Sequence, residues 1–194
     1  MKEYPLTTLE RKAWIFAEKA HRGTFRRFTE VPYFDAHVRF VFKLLKKIDT
    51  DEKSAVAALL HDTVEDVKWV TLDIILEEFG KEVHDLVWEL TSIDELVKKM
   101  GKPEYLLDKM LTMSDKGLLI KLCDRYQNLS DHFNASDRFR EKYYLETQHI
   151  IKGLRSRHLN KKHRVVLSWI EGIMKTMQKR YSLLEYQDFV LSKY

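Results

Sequence analysis

AALLHDTVED, residues 57–66, sets one histidine and three acids directly behind an unbroken run of small and apolar residues. Ionisable groups at the end of such a run are costly to bury unless they are paired, hydrogen-bonded or bound to a metal. His61, Asp62, Glu65 and Asp66 therefore read as a site, and their spacing lets all four gather across one helical turn. Imidazole beside carboxylate suits a borderline divalent cation such as Mn, Fe, Co or Zn. Two donors do not hold an ion, so further ligands must come from elsewhere in the chain.

A second His-Asp pair, His84-Asp85, lies in KEVHDLVWEL. There Val83, Leu86 and Val87 mark the apolar side of a helix, and the polar pair is expected on the solvent side. Upstream of the opening stretch the candidate ligand is His37, with Asp35 as the fallback. Downstream it is Asp124, in IKLCDRYQNLSD.

The surrounding pattern is helical. Thr7 or Thr8 caps an amphipathic segment carrying Leu9, Ala13, Phe16, Ala17 and Ala20 to about His21. A loop with Gly23 and Pro32 follows. Val38, Val41, Phe42, Leu45 and Ile48 then form an apolar stripe behind Asp35. Asp51 can cap the helix that leads into the opening stretch, and Thr71 one over residues 72–79 that Gly80 stops. Helices are further predicted over 81–90, 102–113, from Asp115 through Leu129, and over 137–155, 162–179 and 183–192.

Apolar residues at 44%, charged residues at 33%, and only 6 Gly and 3 Pro in 194 residues exclude a disordered or all-β chain and predict an all-α one. The length suits one domain with a substantial core. The lone cysteine, Cys123, gives no disulfide framework, and neither a signal peptide nor a membrane span is read, so a cytoplasmic protein is expected. The net charge of +4 owes much to residues 152–164, KGLRSRHLNKKHR, read as a solvated helix end and linker.

The ordered set His37, His61-Asp62 and Asp124 resembles the H…HD…D signature of HD-domain phosphohydrolases, which hold a divalent metal in a helical bundle. AHRGTFRR (20–27), PYFDAH (32–37), ALLHDTVED (58–66) and KLCDRYQNLSD (121–131) are similar to the hydrolase motifs of RelA/SpoT homologues. Those enzymes remove the 3′-pyrophosphate of the stringent-response alarmones ppGpp and pppGpp. No synthetase segment follows, so the stand-alone small alarmone hydrolases are the nearest type. The resemblance implies a single HD-type domain, with the motifs in about 7–133 and additional C-terminal helices in about 137–193.

By that resemblance His37, His61, Asp62 and Asp124 are the metal ligands, with Mn2+ the leading cation and Fe, Co or Zn the others. Glu65 and Asp66 position and activate the attacking water. Arg26 and Arg27 line the nucleotide pocket; Lys121 and Arg125 join them as substrate contacts, and Asn128 meets the sugar and phosphate. Tyr126 packs either near the base or in the core. The implied activity is metal-dependent (p)ppGpp 3′-pyrophosphohydrolysis on a small-molecule nucleotide, with neither membrane nor nucleic acid as partner. The alternatives are an HD phosphohydrolase of another nucleotide (a dNTP, a nucleoside monophosphate or NADPH) and a non-catalytic nucleotide-binding module.

Four departures from the family pattern stand out. The loop RRFTEVPY (26–33) is longer than usual and lacks the frequent Gly, Val38 replaces a proline, and Gln127 replaces a frequent His. His37 also comes one residue later after Pro32-Tyr33 than is common.

Overall fold

The computed structural model describes residues 5–131 and 135–181. It is all-α: the described residues hold eleven α-helices, one π-helical turn and a single isolated β-bridge. The helix expected over 183–192 lies outside the described residues. Two compact units are formed, Met1–Ser92 with Met113–Asp124, and Ile93–Thr112 with Arg125–Tyr194. Among the described residues no helix is long and apolar enough to cross a membrane.

In the first unit α1 (Thr8–Ala20) opens with a capping box, Thr7 accepting from the Glu10 backbone while the Glu10 carboxylate accepts from that of Thr7. The expected second helix begins differently. Phe34–Val38 is a π-helical turn, and α2 (Arg39–Lys46) continues from it. Next, α3 (Glu52–Leu60) is capped by Asp51, as its sequence predicts. Every residue from Ser54 to Leu60 is fully buried. A helix apolar on all sides belongs in the middle of its unit, and α1, α2 and α6 all pack on it.

The opening stretch does not continue α3 as one helix. The chain breaks after Leu60 and resumes as the short α4 (Thr63–Asp66). Side chains end α3 by taking its last carbonyls: the His61 Nδ1–H donates to the Ala58 oxygen at 2.8 Å and the Thr63 hydroxyl to that of Leu60 at 2.7 Å. Beyond it, α5 (Leu72–Phe79) and α6 (Lys81–Leu90) meet at Gly80, whose φ of 82° is open to glycine at little cost. The leading part of α9 (Asp115–Ser130) completes this unit.

The second unit holds α7 (Asp94–Met100), α8 (Lys102–Thr112), the end of α9, α10 (Asp137–Leu154) and α11 (Lys161–Tyr181). Gly153 lets α10 lie close on α8, since a Cβ there would stand 2.4 Å from the Leu107 side chain. The basic run bridges α10 and α11, and its Arg157 donates to the Met110 and Leu111 carbonyls at the end of α8.

Arg125, expected at substrate, is engaged inside this unit. Its guanidinium donates to Glu146 at 2.7 Å and Thr147 at 3.0 Å, and lies 4.7 Å from the Tyr143 ring centre. Both ion-pair side chains are 4% exposed, so removing one charge strands the other. Arg125→Ala is expected to cost about 3–5 kcal/mol of stability, read from urea unfolding of the intact chain. A loss below ~1 kcal/mol would show that water reaches Glu146 and that the pair is not a structural tie.

Candidate metal centre and hydrolytic site

His37, His61, Asp62 and Asp124 converge inside the first unit. His37 is carried by the π-turn, His61 and Asp62 by the break after α3, and Asp124 by α9. The His37 Nε2 stands 3.1 Å from the His61 Nε2, 3.3 Å from an Asp62 oxygen and 3.3 Å from an Asp124 oxygen. The His61 Nε2 lies 2.9 Å from that same Asp62 oxygen. Donors at ~2.1 Å from a shared ion are separated by about 3.0–3.4 Å at octahedral or tetrahedral angles, so His37, His61 and Asp62 fit a divalent cation, and Asp124 adjoins that group through His37.

The tautomer agrees. Because the His61 Nδ1–H is given to the Ala58 carbonyl, its Nε2 lone pair faces the other donors. Both histidines are buried, at 1% exposure. Burial alone would push the His37 imidazolium down, but hydrogen bonds to Asp124 and Asp62 carry its pKa up to about 9. A proton and a cation are therefore alternatives at the His37 Nε2. Burial likewise opposes ionisation of Asp62, yet the adjoining imidazoles of His61 and His37 hold it well below the usual carboxylate range. For Asp124 the counterweight to burial is Lys121, whose ammonium lies 3.0 Å from it, followed by His37.

Lys121, read from the sequence as a substrate contact, thus sits against a proposed ligand. Asp35 pairs with Arg39 at 3.0 Å instead of turning to the histidines. His84-Asp85 is on a partly exposed helix face, with Asp85 bonded to Lys81 at 2.7 Å.

Glu65 and Asp66 occupy α4, directly after the ligand pair. A Glu65 oxygen accepts from the Ser92 backbone at 2.5 Å, which anchors that carboxylate. Desolvation, then repulsion from Asp62 and Glu65, raises the Asp66 pKa to about 6. An acid poised there can both take and return a proton near neutrality.

Arg26 and Arg27 sit on the RRFTEVPY loop, which closes on itself: the Arg26 N–H donates to the Val31 carbonyl at 2.9 Å and that of Tyr33 to Thr24 at 2.9 Å. Phe28 takes the left-handed conformation at φ 67°, which costs a side-chain-bearing residue more than it would a glycine. The Arg26 guanidinium lies 5.8 Å from the Tyr33 ring centre. Asn128 belongs to the second unit, as does Tyr126, whose ring lies 5.8 Å from that of Trp169.

Sequence reasoning passed over Tyr33 and His21. The Tyr33 hydroxyl donates to Asp62 at 2.5 Å, and its i, i+4 spacing from His37 was the available signal. His21, 2% exposed, packs on the other side of Tyr33 with ring centres 5.0 Å apart.

The chain is similar in sequence to known proteins. A probable chloroplastic GTP diphosphokinase of Arabidopsis thaliana is 35% identical over 153 residues, covering 74% of this chain and 21% of that protein. A probable GTP pyrophosphokinase of Mycobacterium leprae is 36% identical over 131 residues, covering 65% of this chain and 16% of its own. The chain thus spans about a fifth or less of the length of these curated relatives. A solved structure described as a metazoan ortholog of SpoT that hydrolyzes ppGpp superposes with a TM-score of 0.75 at 26% identity, covering 94% of this chain and 100% of that one. Residues 13–158 match the HD domain family, a span that takes in the four converging donors and both acids of α4. The chain belongs to the HD-domain family.

Proposed function

We propose that this protein is a metal-dependent phosphohydrolase that removes the 3′-pyrophosphate of a guanosine alarmone, leaving GDP from ppGpp or GTP from pppGpp, with Mn2+ as its cation. The observation that carries the reading is the convergence of His37, His61, Asp62 and Asp124, with donor contacts of 2.9–3.3 Å and two acids on the next turn. The GTP pyrophosphokinase relatives and the ppGpp-hydrolysing structural neighbour support the substrate class. Buried Cys123 accords with a reducing compartment, and we place the protein in the cytoplasm.

His37, His61, Asp62 and Asp124 would hold the cation. When bound, it supplies Lewis acidity toward water and neutralises phosphate charge. Lys121 keeps Asp124 ionised. Glu65, anchored on the Ser92 backbone, orients water at the phosphorus, and Asp66 accepts its proton. Arg26 and Arg27 hold the nucleotide so that the 3′-linkage, not the 5′ one, lies in line with that water, and this placement supplies much of the rate.

The test is a product-resolved assay with Mn2+ on ppGpp, pppGpp, NADPH and dNTPs. Intact pyrophosphate with GDP or GTP is the expected outcome. Cleavage of dNTPs or of NADPH with ppGpp left whole would overturn the alarmone reading and assign the protein to another nucleotide.

A further inference from the structure

Four rings stand in a row beside the proposed ligands. From His21 to Tyr33, His37 and His61 the successive centres are 5.0, 5.2 and 5.2 Å apart. Of these, only His37 and His61 have been given work. The Tyr33 hydroxyl donates at 2.5 Å to Asp62 Oδ2. That is the oxygen which faces His37 at 3.3 Å and His61 at 2.9 Å. A carboxylate turns easily about its terminal torsion, which is broad and roughly two-fold. A donor fixed on a rigid ring removes that freedom and selects the orientation that a cation needs.

The donor is held in place from both sides, between the His37 and His21 rings. On its far side His21 is 2% exposed, and neither of its ring nitrogens has a hydrogen-bond partner among the described residues. Buried polar atoms of this kind call for a reason. As a neutral ring, its pKa pushed down by burial to about 4, His21 serves as a flat wall against the phenol.

We propose that Tyr33 is a positioning residue of the metal centre: its hydroxyl fixes the Asp62 carboxylate toward the cation, and His21 holds the Tyr33 ring from behind. This rests on the reading of Asp62 as a ligand. Hydrogen-bonded partners of ligands commonly account for 10–100-fold in metal affinity.

The experiment is calorimetric titration of Mn2+ alone into the full chain, beside apo thermal unfolding. Tyr33→Phe, which keeps the ring and removes the hydroxyl, should weaken Mn2+ binding by about 10–100-fold. Its apo midpoint should stay within ~2 °C of the parent, and turnover should recover when Mn2+ is raised to saturation. His21→Ala should weaken Mn2+ binding several-fold and His21→Phe should restore it, since the wall is a matter of ring volume. Unchanged Mn2+ affinity in Tyr33→Phe overturns the proposal. So does a loss of affinity that comes with a collapsed apo midpoint, because the tyrosine would then be serving the fold. A parent protein that takes up no Mn2+ sinks the ligand reading itself, a result distinct from either.

Discussion

Asp62→Asn is expected to lose most bound metal and to reduce alarmone hydrolysis by about 10³-fold or more, while the protein stays helical and soluble. Asp62 is the point where the site is most tightly drawn together, since one of its oxygens faces His37, His61 and Tyr33 at once. An amide keeps the volume but removes the charge that offsets the cation. The control is Asp85→Asn at the other His-Asp pair, whose carboxylate answers only to exposed Lys81 and its neighbour His84. Metal content and turnover should both be unchanged there. Full metal occupancy in Asp62→Asn, or lost activity in Asp85→Asn, would show that the wrong pair had been chosen.

The second large effect belongs to α4. Asp66→Asn should keep its metal yet lower turnover by ~10²–10⁴-fold, the usual range for a lost general acid or base. The parent enzyme should show an acid limb that belongs to Asp66: a base whose pKa is raised by burial is ionised and active above that pKa and is lost as pH falls through it. In Asp66→Asn that limb should vanish from the residual rate. Glu65→Gln should also cost about 10²-fold but retain the limb, because Glu65 orients water and does not take the proton. A limb that disappears with Glu65 and persists without Asp66 would exchange the two roles.

Elements with a strong apolar stripe and a capping residue were legible in the sequence almost to the residue. The Asp51 cap, the Thr71 start and the Gly80 stop all follow from local chemistry within one or two turns. By contrast α7 went unread because none of its residues is buried, so it shows no stripe to find. The break between α3 and α4 was hidden because it depends on His61 and Thr63 turning back on carbonyls rather than on any glycine or proline.

The candidate site divides along a similar line. The four donors could be picked out by residue type and motif order. The partners of Arg125 and Lys121 could not, because both side chains look outward-going in sequence and their destinations, Glu146 and Asp124, are set by packing. Tyr33 escaped for a related reason: its i, i+4 spacing from His37 is visible in the sequence, but an acceptor 29 positions away is not.

The π-turn at Phe34–Val38 bears on how this site tolerates change. One residue inserted ahead of an α-helical ligand would swing that ligand by about 100° and turn the following apolar stripe away from its core. A wide turn dissipates the extra residue where it enters, so His37 and the buried face of α2 keep their common phase. The usual offset counted forward from Pro32-Tyr33 lands on Ala36, whose side chain offers no ligand atom. The phase of His37 is thereby set apart from the length of the loop before it. A residue gained or lost among 26–31 need not be answered by a substitution at His37, provided Tyr33 keeps its place against Asp62.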